Sequence, residues 1–141
     1  MPRVSMKAVL AGVLVDFVLS MVLGILVVFV WGLAASCGKP LAANAQVATD
    51  TRLLLIFLAI GLSALVLGAF VAGRIAGRDY VLHGALVGAI SLAIGFMVGG
   101  SGNPSWFRIA VVVLNIPMAI LGALLARRTK DNLVGRAASG P

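Results

Sequence analysis

Glutamate is absent from this 141-residue chain, and aspartate occurs only four times, beside one histidine and one cysteine. These shortages exclude whole classes of chemistry. A carboxylate pair for acid/base work, a zinc set or a disulfide framework each needs several such residues within reach of one another, and the chain has too few to build one. No nucleophile and base pair and no phosphate-binding loop is visible. The reading is therefore of a protein that is not an enzyme and carries no cofactor or metal. Charge is scarce altogether, at 11% of residues, and aromatics stand at 6%, thin for a cavity that holds large cations by cation–π contact.

Apolar residues take up what is left, at 62% of the chain and a mean hydropathy of +1.16. Soluble domains are about half apolar and about 25% charged, so this composition places the chain in a lipid bilayer. Eleven Lys and Arg against four Asp give a formal net charge of +7. In so apolar a chain that excess marks membrane topology and argues against a nucleic-acid partner.

Four runs are long enough to cross a bilayer, which takes roughly 20 residues. They cover 8–34, 53–73, 80–100 and 109–126. The last is short but workable, with Trp106 and Phe107 seated at the interface. The fold class expected is an all-α, four-helix transmembrane bundle formed by one membrane domain, 1–141, with residues 127–141 as a basic cytoplasmic tail. With both termini cytoplasmic, the inner segments hold Arg3, Lys7, Arg74, Arg78, Arg127, Arg128, Lys130 and Arg136, and the outer segments hold Lys39, Arg52 and Arg108. Eight against three favours this N-in, C-in orientation. Ala34-Ala35-Ser36-Cys37 is similar to a lipoprotein cleavage box, but the preceding apolar run is too long for a signal peptide and has Asp16 inside it. Cys37 then reads as a free thiol in the outer loop.

Val9–Val15 and Val81–Val87 match at Val, Leu, Gly, Leu and Val, and Leu67–Arg74 and Leu121–Arg128 match at Leu, Gly, Ala, Ala and Arg. Spans one and two would then be duplicated as spans three and four, a tandem repeat of helical hairpins about an axis along the membrane normal. Small residues also recur every four positions. Ala8, Gly12, Asp16, Ser20 and Gly24 form one stripe; Ala64, Gly68, Ala72 and Ala76, flanked by Ala69, Gly73 and Gly77, form a second; Gly84, Gly88, Ser91, Gly95 and Gly99 form a third. Such spacing puts small residues on one helix face and lets backbones approach where lipid supplies no hydrophobic drive. The partner helix can belong to this chain, to a second copy or to a larger membrane complex.

Counted inward from the cytoplasmic boundary, Asp16, Ser63, Ser91 and Asn115 lie about 13 to 18 Å deep at 1.5 Å per residue. All four spans thus contribute to one polar layer. An acid at that depth costs about 3 kcal/mol on insertion scales, so Asp16 should face the bundle interior or a wet cavity, with Ser20 and Asn115 as partners. Arg74 and His83 are alternative partners reaching down from the cytoplasmic hairpin, where Arg78 also lies. Pro117 cannot donate to the Val113 carbonyl, which leaves a kink and a spare acceptor beside Asn115.

The segment Gly68-Ala69-Phe70-Val71-Ala72-Gly73-Arg74-Ile75-Ala76-Gly77-Arg78, followed by Leu82-His83-Gly84-Ala85-Leu86-Val87-Gly88, resembles the middle hairpin of small prokaryotic tetraspan membrane proteins of the DUF3792 type. The resemblance covers about 20 residues and implies a four-span fold in a bacterial cytoplasmic membrane; it carries no activity across. Asp16 and Asn115-Ile116-Pro117 depart from that pattern.

The function expected from these residues is that of an interaction, assembly or regulatory subunit of a membrane complex, with Asp16 as interhelical glue. The alternative is a proton- or cation-coupled small transporter or channel, with Asp16 as the coupling site. Both share the same topology, which Cys37 tests: a membrane-impermeant thiol reagent applied to intact cells should modify it, and modification only after the cells are broken would reverse the orientation.

Overall fold

The computed structural model describes residues 4–36, 50–98 and 103–138, with side chains described at 4–33, 50–98 and 103–132. Cys37, most of the first outer loop and the end of the third apolar run lie outside the described residues. The described residues form four helices: α1 (Met6–Ser36), α2 (Thr51–Ala76), α3 (Tyr80–Val98) and α4 (Ser105–Ala138). All four are long and apolar enough to span a membrane, and among the described residues there is no strand.

α1, α2 and α4 each outlast the apolar run that predicts them, because hydropathy ends at the first charge while backbone hydrogen bonding does not. The largest excess is at α4, which continues as helix through the basic segment instead of ending near Ala126. Ala, Leu, Arg and Lys are strong helix formers there. The Thr129 hydroxyl donates back to the Leu125 and Ala126 carbonyls, at 3.2 and 2.9 Å. An exposed Arg127–Asp131 pair at 3.8 Å adds the favourable four-residue spacing. Pro117 is accommodated inside α4 and faces outward.

Local chemistry also sets the ends of α2. Asp50 caps its start by accepting a hydrogen bond from the Arg52 amide at 2.8 Å. Gly77 ends it in the left-handed region, at φ 67°, with its N–H on the Gly73 carbonyl. Asp79 also has a positive φ, 49°, a conformation that Asp tolerates better than most residues. The turn between α2 and α3 is therefore only three residues long. Its Gly77 carbonyl accepts from both the Tyr80 hydroxyl and the Lys130 ammonium, each at 3.2 Å. The second of these ties the turn to the extension of α4.

α2 is the central helix and lies along α1 on one side and α4 on the other, while α3 packs chiefly on α4. The interior is built from small side chains, including Ala8, Ala64, Ala69, Ala72, Ala119, Ala123 and Ala126, while Leu, Val, Ile and Phe crowd the periphery. This reverses a soluble core and suits a bundle whose outside is solvated by lipid.

Glycine makes the approach close. A Cβ on Gly12 would stand 2.7 Å from both Ala72 Cβ and the Gly68 carbonyl, and one on Gly68 would stand 2.5 Å from the Gly12 carbonyl. On the other side of α2, Gly122 lies against the Val66 backbone and Gly73 against Ala123 and Ala126. Gly84 and Gly88 do the same for α3 against Ala119. These contacts all lie in the half of the bundle nearer the Gly77–Asp79 turn. In the other half the helices stand apart: a Cβ on Gly61 or Gly95 would meet nothing within 4 Å, and one on Gly24 would meet only Phe57, at 3.9 Å. Gly24 is therefore no packing residue, and Gly77 serves the turn. The bundle is a wedge, tight at the turn end and open at the other.

Gly12→Leu, Gly68→Leu and Gly122→Leu should each lower the melting temperature in mild detergent by the equivalent of about 1 to 3 kcal/mol or prevent assembly. Gly24→Ala should leave it unchanged. Equal melting of all four variants would remove close approach as the source of stability.

Candidate functional site

Where the wedge begins to open, three of the sequence's polar residues come together. Asp16, on the small-residue stripe of α1, is 8% exposed, and Asn115 of α4 is 9% exposed. The Ser20 hydroxyl donates to the Asp16 carboxylate at 3.5 Å, a long bond. Two glycines make the room. A Cβ on Gly68 would come within 2.9 Å of Asp16 Cβ, and one on Gly88 within 3.2 Å of Asn115 Oδ1.

Asp16, Ser20, Ser91 and Asn115 share the wall of a cavity of about 540 Å³. Ser91 Oγ is buried beside the Asp16 carboxylate, and among the described residues the buried Asn115 Oδ1 has no hydrogen-bond partner. A buried polar atom left unpaired costs about 1 to 3 kcal/mol, so an unpaired amide oxygen beside a carboxylate in one cavity requires a cause. The remaining wall is apolar, from Leu58, Leu62, Leu65, Leu92 and Val111 together with Phe57, Phe96 and Phe107. Asn103 and the exposed Arg108 line it at the open end of the wedge. Phe107 is held edge-on by Trp106, with ring centroids 5.8 Å apart and planes at 88°.

This gathering answers the shortage of aromatics. Three of the six phenylalanines line the cavity, each from a different helix. Sequence gave no sign of it, because residues 57, 96 and 107 belong to no common motif.

Other expected site residues lie elsewhere. Ser63 is exposed on the outer face of α2 and donates to the Ala59 carbonyl of its own helix at 2.8 Å, so it takes no part in the polar cluster. Arg74 and Arg78 are exposed, and the Arg74 guanidinium sits over the Phe70 ring, 5.8 Å from its centroid. Neither reaches Asp16. Pro117 faces outward, away from the cavity beside which it was expected.

His83 is fully buried and does not approach Asp16 either. Its Nε2 accepts from the Ser5 amide at 3.0 Å and its Nδ1 faces the Asp79 carbonyl at 3.0 Å. One ring nitrogen must accept and the other donate, so this geometry defines a neutral imidazole protonated at Nδ1. His83 thereby fastens the chain ahead of α1 to the α2–α3 turn. The signal for it was missing because Ser5 is 78 positions away and contributes only its backbone.

Family models, curated proteins and solved structures give no match to this chain.

Replacing His83 by Leu strands the Ser5 amide, while the Asp79 carbonyl keeps the backbone N–H of residue 83 at 3.1 Å. The variant should lose about 1 to 3 kcal/mol of stability and exchange its Ser5 amide faster. Unchanged melting and exchange would show that the latch contributes nothing.

Proposed function

We propose that the protein is a small, non-enzymatic multi-pass protein of a bacterial cytoplasmic membrane that takes up a proton or cation at Asp16, as part of coupled transport or conduction. The observation that carries this reading is the cavity itself. Its wall holds one carboxylate, the Ser20 and Ser91 hydroxyls and an amide oxygen, Asn115 Oδ1, with no hydrogen-bond partner among the described residues. Two hydroxyls reach Asp16, Ser20 of its own helix at 3.5 Å and Ser91 of α3, and neither brings a charge to balance the carboxylate. An acid held inside a membrane, facing a cavity, is the pattern of proton and ion pathways.

The charge bias sets the orientation of this reading. With both termini cytoplasmic, the turn end of the wedge faces the cytoplasm and the cavity opens outward. A hairpin duplication would relate spans one and two to three and four.

The subunit reading draws on a different observation. α1 exposes large apolar side chains along its whole length, from Leu10 and Leu14 through Met21 to Phe29 and Val30. A helix from a second copy or from a larger membrane complex would seat there, and lipid covers the same surface when none does.

Asp16→Asn separates the two. It keeps the size and hydrogen-bonding capacity of the side chain and removes its ionisation, so assembly and melting should change by about 1 kcal/mol or less. In reconstituted vesicles the wild type should carry a pH-driven flux, read by a dye trapped inside, and the variant should lose it. Flux of equal size in both, or none in the wild type, would overturn the coupling role and leave Asp16 as a structural residue.

A further inference from the structure

The cavity is far larger than a proton or a bare ion requires. At about 540 Å³ it falls within the 300 to 1,000 Å³ typical of small-molecule sites, and it has their makeup of apolar wall and few convergent polar groups. From this we infer that the cavity binds a monovalent organic ammonium, a protonated amine on an apolar body, with its nitrogen against Asp16 and its body among Phe57, Phe96 and Phe107. The inference rests on the cation reading of Asp16 and names the class of cation.

Three features select that class. The polar end supplies acceptors: a carboxylate, Asn115 Oδ1, which is buried and unpaired among the described residues, and the lone pairs of Ser91 Oγ beside Asp16. An ammonium bears up to three N–H donors from one atom and can satisfy all of them together. A hard metal cation prefers six or more oxygen ligands, and a single carboxylate with one amide oxygen and two hydroxyls falls short of that. The body of the ligand is selected by the wall, where three phenyl rings offer both apolar area and the negative π-faces that attract a cation. Single charge is selected by balance. Among the described residues Asp16 is the one acidic residue lining the cavity, so a second positive charge on the ligand would have no carboxylate to meet it.

Purified protein in mild detergent can be titrated calorimetrically at neutral pH with phenethylammonium chloride and with 2-phenylethanol, its uncharged counterpart. The ammonium should bind at one site per chain, about tenfold or more tighter than the alcohol. Sodium chloride at matched ionic strength should not displace it. Asp16→Asn should erase the preference between the two ligands, Phe96→Ala should weaken both, and Ser63→Ala should match the wild type. Equal affinity for the two wild-type titrations, or no binding of either, would overturn the inference even if the Asp16 variant failed to assemble. Displacement by sodium would replace the ammonium with a metal cation. An acyl chain retained in the cavity, seen as lipid held by the protein in native mass spectrometry and blocking both titrations, would overturn it as well. If Asp16-dependent flux persists while the ammonium fails to bind, the coupling reading stands and only the ligand class falls; if flux is absent too, both fall together.

Discussion

Backbone-to-backbone approach around α2 is the constraint on which the other features depend. In a bilayer, apolar burial does not drive helices together, so association has to come from short contacts summed along an interface. α2 achieves this twice, because Gly68 and Ala72 face α1 while Ala69 and Gly73 lie one residue further round the helix, and Gly73 meets α4. A single helix with two small-residue faces brings both neighbours close, and α3 closes on α4 through Gly84 and Gly88.

The same constraint explains why a cavity exists at all. Close approach is confined to the half of the bundle where glycines meet Gly, Ala or backbone of another helix; past Asp16 and Asn115, Gly61 and Gly95 line the cavity among Phe and Leu with nothing within 4 Å of where a Cβ would stand. Bulky side chains spread around the widening gap and cannot close it. The polar residues stand at the boundary between the two regimes. There, the missing side chains of Gly68 and Gly88 leave space for Asp16 and Asn115, and the splay begins to admit something other than protein. Tight packing on one side and openness on the other thus arise from a single distribution of glycines along the chain.

Much of this was legible in the sequence, and the failures share a cause. The spans, the stripe from Ala8 to Ser20 and the depth of Asp16, Ser91 and Asn115 could all be read from spacing, since rise per residue fixes height. Spacing along a span does not give direction round the helix relative to unknown neighbours. Ser63 lies at the right depth and precedes the buried Ala64 by one residue, yet that step turns it by about 100°, outward to where only its own Ala59 carbonyl is in reach. Gly24 continues a perfect four-residue stripe, but the stripe runs past the point where α2 diverges. The cavity wall could not be read at all, for it joins residues of three helices whose relation depends on the splay. Gly122 was visible only as part of a repeat, although with Ala126 it has the spacing of a packing face.

The doubly engaged Gly77 carbonyl bears on how such a wedge can move. Tyr80 and Lys130 fasten it from two directions, and His83 fastens the segment leading into α1 to the same turn. With three of the helix ends clasped at one place, the turn acts as a fulcrum and the helices as lever arms. α3 alone, at 19 residues, is about 28 Å long. A tilt of about 5° at its base would carry its far end about 2.5 Å by the geometry of that arm, enough to widen or narrow the mouth while the glycine contacts beside the fulcrum shift by only a small fraction of that distance.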